Sequence, residues 1–439
     1  MSRSSPGERA SQPKGLARLF RYLIARFALD AWLRRAVLAL GRRFRPFKHR
    51  EMTVDVLRWP DVRSVLERAE DFSVAIYDMR MKDTMGLTFL GMDPSDQYAV
   101  ESGAMRAALE VPDARRAPAG PERAGRLPWV RSFAAALSRQ CVEEALKRRD
   151  EIDVVSDLAD FVPLHFALEF FGTPEPNPAR PEILHWLKQI SHYVFATASS
   201  DWAVPAHRAG QSIAAHFRRL VARRHAELAA GVKTPDDVLG RLIAASGTPG
   251  GLSDDAIARS LGFISGATMP TSWLFIEAVD RLLRLPRKQR KLLHEFAVQG
   301  DRAAVRAYVI EAARFFPFPF MIVRYAEQDT EIAGHPIAKG TTVNLVIGSA
   351  TMDRRAGLEH PGRFIPGRPE SQYMLFGHST HLCQGKDIAE EVMTEMAIAL
   401  FSRENLRRAR GLRGYICMGP KGVIPDGGYP QNFILKADG

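Results

Sequence analysis

The chain has 439 residues, of which 46% are hydrophobic and 9% aromatic, so it is long enough for a large globular core and is not a disordered protein. Its three cysteines, Cys141, Cys383 and Cys417, are odd in number and far apart, which excludes a disulfide framework and favours a reducing compartment. The net charge of +11 resides in residues 1–50, so the rest of the chain is neutral and nucleic-acid binding is not expected.

Residues 1–49 are predicted to form a basic N-terminal arm that contains an amphipathic helix. Apolar residues recur there at helical spacing, with arginines between them: Leu16, Leu19, Phe20, Leu23, Ile24 and Phe27. Such a helix suits contact with an anionic membrane surface, although an ordinary helix packed on its own domain and a transit peptide are alternatives. No uncharged run is long enough to span a bilayer. The expected location is the cytoplasm, with peripheral membrane contact as an option.

The remainder, residues 50–439, is predicted to be one mainly α domain with a minor β part. Apolar periodicity places helices near 60–70, 96–110, 127–148, 154–171, 180–199, 203–230, 253–284, 287–297, 301–315 and 384–402. Short strands are predicted at Thr330–Ile332, Thr341–Val346 and Asn432–Lys436.

The helix predicted over 253–284 contains a proline in the sequence GATMPTS, residues 266–272. Ser253 suits its N-cap. Pro270 has no amide hydrogen and clashes with the carbonyl four residues back, which predicts a kink and an unpartnered carbonyl near Gly266. Thr268 and Thr271 flank this kink, where they either serve an oxygen or peroxide ligand or bond backward to helix carbonyls.

Charged residues follow in three later segments. Glu311 and Arg314 share one face of the helix predicted over 301–315. Arg324 lies in IVRYAEQDTEIAGHPIAKGTTV, residues 322–343, and Arg363 lies in HPGRF.

A single cysteine, Cys383, stands in FGHSTHLCQG, residues 376–385. Gly377 and Gly385 allow the backbone to approach a bulky ligand closely, and the helix that follows stabilises negative charge on the sulfur. A thiolate in this setting suits haem iron. The alternative for a lone cysteine is a small buried apolar residue.

In this order, these segments resemble the cytochrome P450 family. The cysteine loop is similar to the family's Phe-x-x-Gly-x-His/Arg-x-Cys-x-Gly, with Ser379 in place of the usual glycine. The 311–314 segment is similar to its Glu-x-x-Arg, and Arg363 with Phe364 to its Pro-x-Arg-Phe. The resemblance covers about residues 50–439 and implies a single large P450-like domain enclosing a haem.

The resemblance also implies roles for individual residues. Cys383 would ligate the iron of haem b, with Phe376 and Gly385 in the same loop. Arg324 and His381 would contact haem propionates. Glu311, Arg314 and Arg363 would form a buried charge cluster.

Two positions depart from the family pattern, so more than one residue is a candidate for the role at each. In GMDPSDQ, residues 91–97, Gln97 stands where the family has a propionate-binding histidine, and Arg106 is a possible substitute. In the distal helix Pro270 stands where the family has an acid, while Thr271 keeps the alcohol and Thr268 is a second candidate.

The implied function is a monooxygenase that oxidises a hydrophobic lipid, sterol or terpenoid-like substrate with dioxygen. Its electrons would come from a separate ferredoxin-like donor, because the chain has no dinucleotide fingerprint and no cysteine cluster. A hydroperoxide isomerase or peroxygenase that needs no external electrons is the alternative. A non-catalytic haem-binding protein is a further one.

Overall fold

The structure, a computed structural model, describes residues 31–109, 127–174, 182–195, 203–418 and 429–438. Helices form most of it. They are α1 (Ala31–Phe44), α2 (Trp59–Glu67), α3 (Ala75–Lys82), α4 (Asp96–Leu109), α5 (Leu127–Arg149), α6 (Phe161–Phe171), α7 (Glu182–Phe195), α8 (Ala203–Ala229), α9 (Val238–Ala245), α10 (Asp254–Gly266), α11 (Thr268–Leu283), α12 (Arg287–Gln299), α13 (Arg302–Arg314), α14 (Ile347–Ala350) and α15 (Lys386–Phe401).

The predicted helices are present, and their ends differ from the prediction by a few residues. The segment predicted over 154–171 begins as a π-helical stretch, Val154–Ala159, before α6. Four helices lie outside the predicted helical ranges: α1, α3, α9 and α14. The last three have eight residues or fewer and are too short for a clear periodicity.

The β part comprises short strands in several sheets. They are β1 (Phe47–Arg50), β2 (Thr53–Val56), β3 (Phe72–Ser73), β4 (Ile152–Asp153), β5 (Ile322–Ala326), β6 (Thr330–Ile332), β7 (His335–Ile337), β8 (Thr342–Leu345), β9 (Arg407–Arg408), β10 (Cys417–Met418), β11 (Pro430–Asn432) and β12 (Ile434–Lys436). The largest sheet has the order β1-β2-β8-β5-β3, in which β2 and β8 run parallel and the other pairs antiparallel.

Residues 31–49 of the predicted arm are attached to the main body. The Arg42 guanidinium is buried and donates to the carbonyl and hydroxyl oxygens of Ser349. The opposite side of α1 exposes Val37, Leu40 and Phe44. The amphipathic pattern at residues 16–27 lies outside the described residues. Within the described ranges, no helix has both the length and the apolar character to cross a bilayer.

The distal helix is divided in two at Ala267, as the proline predicts. α10 ends at Gly266 and α11 begins at Thr268. Since Pro270 has no amide hydrogen, the carbonyl of Gly266 has no α-helical donor four residues on. At the start of α10 the Ser253 hydroxyl accepts a hydrogen bond from the Ala256 amide, which confirms the predicted N-cap.

A buried ion pair within α13 contacts the segment that leads into the cysteine loop. The side chains of Glu311 and Arg314 are fully buried, with Arg314 Nη2 2.6 Å from Glu311 Oε1. The Tyr373 hydroxyl donates to Glu311 Oε2 at 3.0 Å. Burial, followed by the Glu311 carboxylate, raises the pKa of Tyr373 above its usual range.

The predicted role of Arg363 in this cluster needs a correction. The Arg363 side chain is exposed, and the residue contributes its carbonyl oxygen to Arg314. The second guanidinium near Glu311 belongs to Arg368, whose buried Nε lies 3.4 Å from Glu311 Oε1. The irregular chain between the two arginines turns Arg363 outward, and no sequence periodicity reports on such a turn.

We expect Glu311→Gln to lower the free energy of unfolding by about 3–5 kcal/mol, because it leaves the buried Arg314 guanidinium without its counter-charge. Arg363→Ala is the matched control and should change it by no more than about 0.5 kcal/mol, since an exposed side chain is removed. Urea denaturation followed by circular dichroism measures both. Equal losses in the two variants would contradict this assignment of the cluster.

Candidate functional site

One interior cavity collects the predicted site residues from distant parts of the chain. Its volume is about 350 Å³, and its wall is mostly aromatic and aliphatic. The predicted residues that line it are Thr268, Thr271, Arg324, Phe376, His381, Cys383 and Gly385. They come from α11, β5 and the loop before α15, which the fold brings to a common centre.

The loop before α15 presents the cysteine to this cavity. The Cys383 amide donates to the Phe376 carbonyl at 2.9 Å, which closes the loop. Gly377 has a φ of +80°, and a Cβ there would lie 3.1 Å from the His381 carbonyl oxygen, so the backbone conformation and the close approach both favour glycine. Ser379 occupies the left-handed region, at φ +58°, where the family pattern has glycine.

The Cys383 side chain is accessible because it opens onto the cavity, although the protein surrounds it. This burial raises the pKa of the thiol, and a hydrogen bond from the Gly385 backbone acts in the opposite direction. α15 begins at Lys386, so its N-terminus lies just beyond the sulfur. A cationic metal ion would reverse the effect of burial, because it binds the thiolate directly.

Two nitrogen-bearing side chains at the cavity suit an anionic ligand. Arg324 is 5% exposed and donates to the Val323 carbonyl, and no carboxylate in the described ranges forms an ion pair with it. Burial lowers the pKa of Arg324, while Tyr77 and Asp93 partly oppose this. His381 Nε2 is buried without a hydrogen-bond partner in the described structure. Burial, followed by the Arg324 charge, lowers the pKa of His381 to about 4.

These features fit a haem. A haem carries two propionate carboxylates, which would supply the counter-charge that Arg324 lacks and an acceptor for His381. The thiol, the small residues beside it and the apolar wall match the iron-ligand side of such a cofactor.

The structure does not bring Gln97 or Arg106 to the cavity. Gln97 is exposed and donates to the Glu101 carboxylate on its own helix, and Arg106 is exposed on α4. Their placement does not support a propionate contact. Tyr98 faces the cavity instead, donating to the Thr380 carbonyl at 2.8 Å and packing edge-on against the His381 ring. Tyr98 follows Gln97 directly in the chain, and motif spacing does not define the rotation of α4 that turns Tyr98 to the cavity.

Both distal threonines line the cavity, and both bond backward to helix carbonyls. Thr268 Oγ1 donates to the Ser265 carbonyl at 2.8 Å, and Thr271 Oγ1 donates to the Ala267 carbonyl at 3.3 Å. No aspartate or glutamate of the described residues lines the cavity. The sequence from 256 to 276 contains no acid, so the distal helix itself supplies none near the kink.

Comparisons with known proteins agree with this arrangement. The family model for cytochrome P450 matches residues 181–403. Cytochrome P450 BJ-3 of Bradyrhizobium diazoefficiens is 27% identical over 268 residues, which cover 58% of this chain and 59% of that protein. The bifunctional dioxygenase (DOX)-epoxy alcohol synthase (EAS) of Pyricularia oryzae is 25% identical over 302 residues, which cover 62% of this chain and 26% of that protein. The chain therefore matches less than two thirds of the length of either.

A third relative and one solved structure match over longer stretches. The steroid C26-monooxygenase of Mycobacterium tuberculosis is 25% identical over 309 residues, which cover 70% of this chain and 76% of that protein. The crystal structure of CalO2 superposes with a TM-score of 0.76 at 20% identity, covering 94% of this chain and 97% of that one. At 20% identity, the similarity to CalO2 concerns the fold alone.

We expect Ser379→Gly to stabilise the protein by about 1 kcal/mol, because a left-handed residue with a Cβ costs about 1–2 kcal/mol and glycine also loses more chain entropy. Ser379→Ala keeps the Cβ and is the matched control, so it should not stabilise. Thermal unfolding midpoints of both variants test this. A gain in the alanine variant as large as in the glycine variant would show that the hydroxyl, and not the backbone, is responsible.

Proposed function

The chain belongs to the cytochrome P450 family of oxidoreductases, and from that premise we propose that it is a haem–thiolate monooxygenase acting on a hydrophobic substrate. Family membership implies a haem–thiolate cofactor. The observation that carries the proposal is the position of Cys383 in an apolar cavity whose buried Arg324 has no carboxylate ion-pair partner in the described ranges.

Each residue of the loop side has a role in this proposal. Cys383 ligates the iron of haem b, and Arg324 and His381 hold the propionates. Phe376 and Gly385 shape the loop around the sulfur. A thiolate-bound haem supplies the electron density that favours cleavage of an oxygen–oxygen bond.

The cavity wall supports a hydrophobic substrate of the lipid, sterol or terpenoid type. Phe89, Phe166, Phe195, Phe263 and Phe318 are among its lining residues. Such a wall selects ligands by apolar contact and excludes water. The similarity to a steroid C26-monooxygenase favours a sterol-sized substrate within this group.

The electrons are proposed to come from a separate ferredoxin-like donor. The basic residues expected to receive an acidic donor are Lys386, Arg407, Arg408 and Arg410. Arg407 pairs with Asp438, Arg408 with Asp280 and Lys386 with Glu370, whereas Arg410 is exposed and forms no ion pair within the described ranges. A donor would therefore compete with these ion pairs. The pair of Arg407 and Asp438 lies at the surface, where an ion pair contributes about 0–1 kcal/mol.

A second candidate is a hydroperoxide isomerase or peroxygenase. In the described part of the chain the cavity has no carboxylate near the two threonines, which matters for the reduction of dioxygen and not for a substrate that already carries a reduced oxygen–oxygen bond. The similarity to a dioxygenase–epoxy alcohol synthase points the same way.

The N-terminal arm is proposed to contact an anionic membrane surface, so that a cytoplasmic protein is held at the membrane periphery. Residues 1–50 carry the whole net charge of +11, and α1 exposes Val37, Leu40 and Phe44 on one side. Exposed apolar residues beside basic ones are the features by which a helix binds at a lipid interface.

The reduced, carbon monoxide-treated protein should show the absorption band of a thiolate-ligated haem, and Cys383→Ala should lose it. Cys417→Ala is the matched control, because that cysteine is also exposed but does not line the cavity. Product from a steroid probe should then form with ferredoxin, reductase and NADPH. Product with cumene hydroperoxide and none with the electron-transfer chain would favour the second candidate.

Removal of the arm should abolish binding to anionic vesicles. We expect the full chain to co-sediment with phosphatidylserine vesicles and a chain that begins at Pro46 to remain in the supernatant. Replacement of Val37, Leu40 and Phe44 by serine should weaken binding by about tenfold or more, since three large side chains lose apolar contact. Unchanged sedimentation of the shortened chain would show that the arm is not the lipid contact.

A further inference from the structure

A buried carboxylate lies beside the distal helix although the helix has none of its own near the kink. The Ser272 hydroxyl on α11 donates to Asp160 Oδ1 at 2.9 Å. Asp160 is 7% exposed and immediately precedes α6.

Asp160 and Ser272 each lie one helical turn from the cavity wall. Along α6, the cavity-lining Pro163 follows Asp160 by three residues, so the two share one side of the helix. Along α11, Ser272 follows the cavity-lining Thr268 by four residues, which places their Cβ atoms about 5–6 Å apart. One water molecule is enough to join two hydroxyl groups at this spacing.

A lysine connects the carboxylate to the outside. Lys188 on α7 forms an ion pair with Asp160 Oδ2, and its side chain is 21% exposed. The Tyr429 ring lies beneath the ammonium group, 5.9 Å from it. The groups that contact Asp160 thus include an ammonium that reaches solvent and a hydroxyl that belongs to the distal helix.

We propose that Asp160 is the acid of this enzyme's proton supply, acting through Ser272 on the distal threonines. This rests on the monooxygenase function proposed above. That reaction converts a substrate C–H bond, one dioxygen molecule, two protons and two electrons into an alcohol and one water molecule. The donor protein provides the electrons. The protons pass from solvent through Lys188 and Asp160 to Ser272, and by one water to Thr268 or Thr271.

Asp160 is a positioning residue in this scheme, because it acts through Ser272 and does not touch the substrate. A purely structural ion pair between α6, α7 and α11 would predict a loss of stability alone. A proton supply predicts a defect that appears with dioxygen and is absent with a hydroperoxide, in which the oxygen–oxygen bond is already reduced.

The test compares Asp160→Asn with Asp157→Asn. The asparagine introduced in the first variant keeps an oxygen that can accept from Ser272 but removes the acid. Asp157 is the matched control, since it lies three residues away and is also paired with basic side chains, those of Arg148 and Arg149, but makes no hydrogen bond to the distal helix. Ser272→Ala interrupts the same route by removing the hydroxyl that contacts Asp160. Asp160→Glu keeps a carboxylate and should retain part of the coupling that Asp160→Asn loses.

Asp160→Asn should lower coupled product formation with ferredoxin, reductase and NADPH by about 10²-fold, a typical contribution of a general acid. Hydrogen peroxide release should rise, and the solvent isotope effect on product formation should increase. Cumene hydroperoxide-supported turnover and the dissociation constant of the steroid probe, from optical titration of the resting enzyme, should stay within about twofold. Thermal unfolding of every variant records the structural contribution separately.

Equal coupling in Asp160→Asn and Asp157→Asn would overturn the proposed route, as would equal losses with dioxygen and hydroperoxide. Failure of the wild-type protein to form product with the electron-transfer chain would instead reject the monooxygenase function on which the route rests. If Asp160→Asn does not fold, Ser272→Ala decides the same question, because it removes only a hydroxyl group.

Discussion

The buried ion pair between Glu311 and Arg314 is the interaction on which the cysteine side of the structure depends. Two fully buried charges are tolerated only when they satisfy each other, and this pair also holds the chain that follows through Arg368 and Tyr373. That chain leads directly into the loop of Cys383. The position of the Cys383 thiol therefore depends on contacts with buried residues of α13, and not on the loop alone.

The opposite side of the cavity is formed by the broken distal helix, in which Pro270 has no amide hydrogen. Pro270 divides the distal helix and frees backbone carbonyls at the break, and the two threonines bond to carbonyls nearby. The broken helix presents polar groups to the cavity, but it carries no aspartate or glutamate near the break. The carboxylate that contacts it there comes from a different part of the chain, through Asp160, so the chemistry of the site is shared among elements distant in sequence.

Features that depend on residues within one helical turn could be predicted from the sequence, whereas the orientation of individual side chains could not. The Ser253 N-cap and the proline kink follow from backbone chemistry within one turn, and the structure has both. Motif spacing predicts site roles for Arg363 and Gln97, but the rotation of an irregular chain or of a helix turns them outward. Arg368 contacts Glu311 where Arg363 was expected, and Tyr98 lines the cavity where Gln97 was expected. Only the tertiary packing distinguishes the residues of each pair.

By itself the sequence determined the family resemblance, the helical class, the cysteine and the absence of an acid near the kink of the distal helix, because each is a property of consecutive residues. The tertiary structure decided which of these residues share one cavity and which polar groups lie against it. The contact between Asp160 and Ser272 joins residues 112 positions apart in the chain. Such a contact exists only after α6, α7 and α11 have packed together, because burial and packing choose partners without regard to sequence separation.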